Sequence, residues 1–203
     1  MSQDGREHPR RPALFSPAAM EAHGGSVDPL QEIEVAHETA AVLVHAGRAA
    51  HDPQLTARLV DLVEELGLST VADLWAHRPA RSLPGVLWRL YVLREWVRRA
   101  PTEASADYSA GMRFTDVNHA VAGVAEPPGP EELSALIDAV LAGVFEGDLA
   151  IGLDRAAAFC RVVSAGRADR SEGEEAARRA AQLLLTADDL SAGAALWRQG
   201  ELG

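Results

Sequence analysis

The run Leu83-Pro84-Gly85-Val86-Leu87-Trp88-Arg89-Leu90-Tyr91-Val92-Leu93-Arg94-Glu95-Trp96-Val97-Arg98-Arg99-Ala100 decides the fold class. At 100° per residue Val86, Leu90, Leu93 and Val97 share one face, with Leu87 and Trp96 at its edges, while Trp88, Tyr91 and Val92 lie on the other side. A helix that is apolar on two sides packs on two sides. Pro84 opens it and Pro101 follows it, which places both prolines where a helix tolerates or ends at them. The segment reads as the central helix of a helical domain.

Working outward, the same period recurs in both directions. A helix is expected over about 30–46, with Leu30, Ile33, Ala36, His37, Ala40, Leu43 and Val44 inside and a stop near Gly47. Another is expected over about 53–66, capped by Asp52 and ended by Gly67, followed by a short one over about 70–77. Pieces over about 102–112 and 115–124 are followed by a Pro/Gly stretch, Glu126 to Pro130. Pro130, Glu131 and Glu132 open a strong helix to about Phe145; further helices are expected over about 149–165 and, as one or two pieces, 172–199. No stretch alternates with period two, and no Asn-Gly or Asp-Gly hairpin signal separates β-branched runs. The expectation is all-α: an irregular orthogonal bundle of about seven to nine helices. Residues 1–28 carry Pro9, Pro12, Pro17, Gly24 and Gly25 and few clustered large apolar groups. They read as a disordered tail, leaving 29–203 as a single helical domain with a possible subdivision near 126–130.

Composition excludes several function classes. The 203 residues carry 30 acids against 19 basic residues, every one an arginine, for a formal charge of −11. That balance opposes non-specific attraction of the whole surface to nucleic acid or anionic membrane. Without lysine there is no P-loop lysine and no Schiff-base or lysine-base chemistry. One cysteine, Cys160, admits no internal disulfide and fits a cytoplasmic setting. No apolar run approaches the roughly 20 residues of a membrane span, and no apolar stretch follows Arg10 and Arg11, so no signal peptide is expected.

The charge is uneven. Residues 78–113 hold seven arginines and three acids, while both flanks are strongly acidic. The island is Arg78, Arg81, Arg89, Arg94, Arg98, Arg99 and Arg113. Arg89 and Arg94 border the apolar face of the 83–100 helix, so each needs a carboxylate, a carbonyl group or an anionic ligand. Internal pairing with the acidic flanks is the ordinary outcome; an anionic ligand or acidic partner is the functional one. Arg98 and Arg99 sit at the helix C-terminus, where the macrodipole favours cations anyway. Of the four tryptophans, Trp75, Trp88 and Trp96 cluster with this island, and Trp with Arg is the pairing most enriched at interface hot spots. Trp88 and Trp75 are the ones expected to be exposed, if any is.

Other motifs are weaker. Glu65-Leu66-Gly67-Leu68-Ser69 resembles the turn of a helix-turn-helix, which would make the segment 59–81 a DNA reader. The helix after it carries Asp73, Trp75 and Ala76, a poor set for phosphates and base edges. Glu34 with His37 and Asp116 with His119 have the carboxylate-x-x-His spacing of a di-iron bundle, but no inward glutamates from other helices accompany them. No metal, cofactor or catalytic residue is assigned, and a buried, hydrogen-bonded His37 is expected. Cys160 reads as a core thiol. Ser109, Ser164 and Ser191 each begin Ser-Ala-Gly, read as helix-end or small-residue packing.

The runs Ala80-Arg81-Ser82-Leu83-Pro84-Gly85, Leu87-Trp88-Arg89-Leu90-Tyr91, Leu93-Arg94-Glu95-Trp96 and Val121-Ala122-Gly123-Val124-Ala125-Glu126-Pro127-Pro128-Gly129-Pro130 resemble an uncharacterised all-helical family of high-GC actinobacteria. The resemblance covers about residues 34 to 199 and implies an intracellular bacterial protein, without a particular activity. The functional expectation is a cytoplasmic, non-enzymatic adaptor that binds an acidic or mixed protein surface through residues 78–99, with Arg78, Arg81, Trp88, Arg89 and Arg94 as binding residues. A DNA-binding regulator and a small-anion binder or enzyme with an Arg89/Arg94 pocket are the alternatives.

Overall fold

The computed structural model describes residues 28–50, 52–122 and 129–202, without the side chains of Asp116, Val117 and His119. The expectations for a disordered tail, for most of the 126–130 linker and for an Asp116–His119 pair lie outside the described residues. Within them the chain forms ten α-helices, one 3-10 turn and no strand, an all-α bundle as the periodicity requires. The helices are α1 (Pro29–Ala50), α2 (Pro53–Val60), α3 (Leu62–Leu66), α4 (Leu68–Trp75), α5 (Leu83–Arg99), α6 (Pro101–Gly111), α7 (Asp116–Ala122), α8 (Pro130–Glu146), α9 (Leu149–Arg170) and α10 (Glu174–Gln199).

The starts follow local chemistry. Asp52 accepts a hydrogen bond from Gln54 N at 2.9 Å and Asp148 from Ala150 N at 2.9 Å, each satisfying an orphan amide of α2 or α9. Ser82 accepts from Gly85 N at 3.3 Å ahead of α5. The backbone N–H of Leu83 donates to the carbonyl of Leu202 at 3.0 Å, so the last described residues close onto the start of α5.

Two helices form the interior. α5 packs against α1, α4, α6, α8 and α10, as its two apolar faces demand. α9 packs against α6, α7, α8 and α10 and buries residues on every side, including Ala157, Phe159, Cys160 and Val163. The central role expected for α5 is therefore shared with α9. One continuous apolar core joins elements on both sides of residues 123–128, from Ala36 on α1 to Leu202.

Several boundaries depart from the sequence pattern for identifiable reasons. The expected helix over 53–66 breaks at Asp61, whose backbone leaves the helical region. Tyr91 of α5 donates its hydroxyl to the Leu59 carbonyl at 2.5 Å just before the break. α1 runs through Gly47, where a Cβ would press 2.8 Å from the Phe145 side chain, so that glycine is a packing site and not a stop. α9 continues five residues past its expected end, to Arg170, and α10 is unbroken at Thr186, whose hydroxyl donates to Gln182 O at 3.0 Å. On α1 the buried row is Ala36, Ala40, Val44 and Gly47; Leu30 and Ile33, expected inside, are exposed, and His37 is only half-buried.

Candidate functional site: an arginine–tryptophan groove between α5 and α10

α5 carries two arginine environments on opposite sides. Arg94 is 2% exposed. Its Nε donates to Asp138 Oδ1 of α8 at 2.6 Å, Nη1 to Glu64 Oε1 of α3 at 3.1 Å, and Nη2 to Asp61 Oδ1 at the α2–α3 break at 2.6 Å. Burial works against the charge, but the Asp138 hydrogen bond and the Asp138, Asp61 and Glu64 carboxylates outweigh it and hold the guanidinium above its ordinary pKa. Arg98 adds a second cation on Glu64. Arg94 therefore staples α5 to α3 and α8, the internal pairing that the sequence reading gave as the ordinary outcome. The alternative of an Arg89/Arg94 pocket loses that side of its motive.

A second buried cluster escaped the sequence reading. Arg167 of α9 donates through Nε to Asp107 Oδ2 of α6 at 2.8 Å and through Nη2 to Glu103 Oε1 at 2.6 Å. Arg170 reaches the other oxygen of Asp107, which is itself only 2% exposed. The Arg167 guanidinium lies 5.0 Å from the centre of the Trp96 ring, a cation–π distance. The available signal was the Ser-Ala-Gly repeat. A Cβ on Gly166 would collide with the Asp107 carbonyl oxygen, and one on Gly111 with that of Val162. The small residues let α6 and α9 touch backbone to backbone, which carries Asp107 to Arg167.

Trp96 is also a wall of a groove of about 630 Å³. α5 supplies Trp88, Val92 and Trp96, and α10 supplies Glu175, Arg178, Arg179 and Leu183 opposite. Both tryptophans are half-buried and pack on the core with one side toward the groove. Arg178 and Arg179 are largely exposed and both lean on Glu175, Arg179 at 2.9 Å. Arg89 sits at the end of the groove, with Nη2 3.1 Å from Asp189 Oδ2 and Nη1 donating to Gly85 O at 3.1 Å. Arg81, 61% exposed, shares Asp189 at 3.5 Å.

Of the expected residues, Trp88 and Arg89 thus line the groove and Arg81 is tied to Arg89 through Asp189. Arg78 lies elsewhere, against Glu32 of α1 at 3.4 Å, and its buried Nε has no partner among the described residues. Arg178 and Arg179 lie far outside the arginine island in sequence, and nothing before folding ties them to Trp88.

The turn-like segment takes a different form from a helix-turn-helix. α3 has five residues, and only Gly67, at φ 85°, separates it from α4. Trp75, named with Trp88 as a tryptophan to be exposed, is 1% exposed, because its ring stacks on Tyr91 at 6.2 Å beneath α1. Burial pushes the Cys160 thiol up to about 12, with the Arg161 charge a smaller, opposing influence. Among the described residues no group of three or more His, Cys, Asp or Glu could hold a metal ion, and no helix is long and apolar enough to cross a membrane. Comparison with protein-family models, with curated proteins and with solved structures gives no match.

Proposed function

We propose that this chain is a non-enzymatic adaptor that holds an acidic segment of another protein in the groove between α5 and α10. The observation that carries this reading is the pairing of two half-buried indole walls, Trp88 and Trp96, with the exposed Arg178 and Arg179 across from them. The indoles offer apolar contact area already fixed by the core, so little side-chain entropy is lost on docking. The arginines supply forked donors that match a carboxylate. Their present partner, Glu175, holds them through exposed helix pairs of the kind that contribute roughly 0.3–0.5 kcal/mol each. An incoming carboxylate displaces it at small cost.

The DNA-reading alternative gains no such support. α4 carries no basic residue, and Glu64, Glu65 and Asp73 lie on or next to it, where a phosphate backbone would have to pass. The adaptor reading is tested by affinity capture of the tagged full chain from its own cell extract, with and without nuclease. A protein that survives nuclease and is lost from Trp88→Ala and Arg179→Ala supports it; recovery of nucleic acid alone overturns it.

A further inference from the structure

A second groove lies between α1 and the α3–α4 pair. It measures about 410 Å³ and is lined by Val42 and Leu43 of α1, Leu62 and Leu66 of α3, and Val71 and Leu74 of α4, among others. Val42 is 57% and Leu66 54% exposed, unusual for large apolar side chains that face one another across a cleft. Most of its lining is apolar, and the Thr39 hydroxyl is already satisfied. The Thr39 hydroxyl donates to Val35 O at 2.8 Å and accepts from Trp75 Nε1 at 3.4 Å. An occupant must therefore bring apolar side chains. One rim is acidic: Glu38 lines the groove, Glu34 stands one turn before it on α1, and neither has a cationic partner among the described residues.

We infer that this groove is the docking site of the chain's own residues 10–20, Arg10-Arg11-Pro12-Ala13-Leu14-Phe15-Ser16-Pro17-Ala18-Ala19-Met20, which lie outside the described residues. Two observations select this occupant. The first is charge: the stretch holds two arginines and no acid, beside the large apolar residues Leu14, Phe15 and Met20, complementary to an apolar groove with a Glu34–Glu38 rim. The second is reach. Val42 stands 13 residues along α1 from Pro29, about 20 Å at about 1.5 Å per residue. Leu14 precedes Pro29 by 15 residues, which span up to about 50 Å when extended, so the chain can fold back along α1. Docking in cis also benefits from the high effective concentration of a tethered segment.

The test uses the full chain carrying Phe15→Cys with Leu66→Cys, and as reference Phe15→Cys with Leu184→Cys, an exposed position on α10. Cys160 is fully buried and does not compete. Under mild oxidation at low concentration, the 15–66 disulfide is expected within one chain at least about tenfold faster than the 15–184 disulfide. Adding Glu34→Lys and Glu38→Lys is expected to slow it toward the reference rate. Hydrogen exchange of the wild-type chain gives an independent readout: Leu14→Ser with Phe15→Ser is expected to speed amide exchange in residues 62–75 severalfold. Equal rates for the two cysteine pairs, a 15–66 disulfide only between two chains, or unchanged exchange would each overturn the assignment.

Discussion

The guanidinium of Arg167 lies 5.0 Å from the centre of the Trp96 ring while its Nε holds Asp107 at 2.8 Å. One buried cation thereby connects the interior ion pairs of α6 and α9 to the wall of the α5–α10 groove. Removing it leaves Asp107, 2% exposed, with the Arg170 guanidinium as its other cation. Arg167→Ala is expected to lower unfolding stability by about 3–5 kcal/mol, the usual cost of breaking a buried pair. Arg170→Ala, whose side chain is 40% exposed, should cost no more than about 1 kcal/mol. Urea unfolding of the two variants checks the order; equal losses would show that Asp107 does not depend on Arg167.

The Arg94 cluster predicts an asymmetry. The arginine is buried, but Asp61, Glu64 and Asp138 are each 41–45% exposed and can rehydrate. Asp138→Asn should therefore cost about 1 kcal/mol, because two carboxylates still hold Arg94. Arg94→Ala should cost about 2–4 kcal/mol, since it removes both the packing of the stem and the tie between α3, α5 and α8. Denaturant midpoints at fixed pH measure both. A larger loss from Asp138→Asn than from Arg94→Ala would contradict the account.

How much of this was legible in the sequence depends on what kind of contact each feature rests on. The helices, the two-sided packing of α5 and the place of Arg94 at the border of its apolar face follow from residue periodicity alone. The need of Arg94 for a carboxylate, a carbonyl group or an anionic ligand was legible too; that Asp61, Glu64 and Asp138 fill it was not, because they reach it only through tertiary packing. The break at Asp61 leaves no glycine or proline as a sign, since Tyr91 and Arg94 meet that corner from another helix. α9 was underread because alanines and glycines carry little amphipathic signal while allowing the closest packing. Half of the groove comes from α10, whose Arg178 and Arg179 lie far from the arginine island in sequence and meet Trp88 and Trp96 only through tertiary packing.

The crossing of α6 and α9 predicts a sharp contrast among glycines. Gly166→Ala places a methyl group against the Asp107 carbonyl and the Gly111 amide, and should destabilise by more than about 3 kcal/mol or abolish folding. Gly143→Ala meets nothing within 4 Å inside α8 and should stabilise by about 0.5–1 kcal/mol. Thermal unfolding of the pair checks both signs.

Cys160 gives a pH prediction. Its folded thiol keeps its proton up to about 12, against an ordinary value of 9.0. Between those values the unfolded chain releases the proton first, so stability is unaffected below the window and falls as pH rises through it. Tyr91, pushed up mainly by burial, acts in the same direction at higher pH. Urea midpoints should decline from about pH 9 to about pH 11 in the wild-type chain and decline less in Cys160→Ala. Identical declines would contradict the buried-thiol account. Thiol-reagent labelling of the native chain at about pH 8 should be slow and should track unfolding.

The central claim is that the indole and arginine walls of the α5–α10 groove bind a protein. The most direct test is capture of the tagged full chain against Trp88→Ala and Arg179→Ala from the same nuclease-treated extract, each variant first shown to unfold at the wild-type temperature. The account predicts a nuclease-resistant partner whose recovery falls at least about tenfold in both variants, as expected for loss of a hot-spot contact. Equal recovery by all three proteins, or loss of every bound component on nuclease treatment, would contradict it.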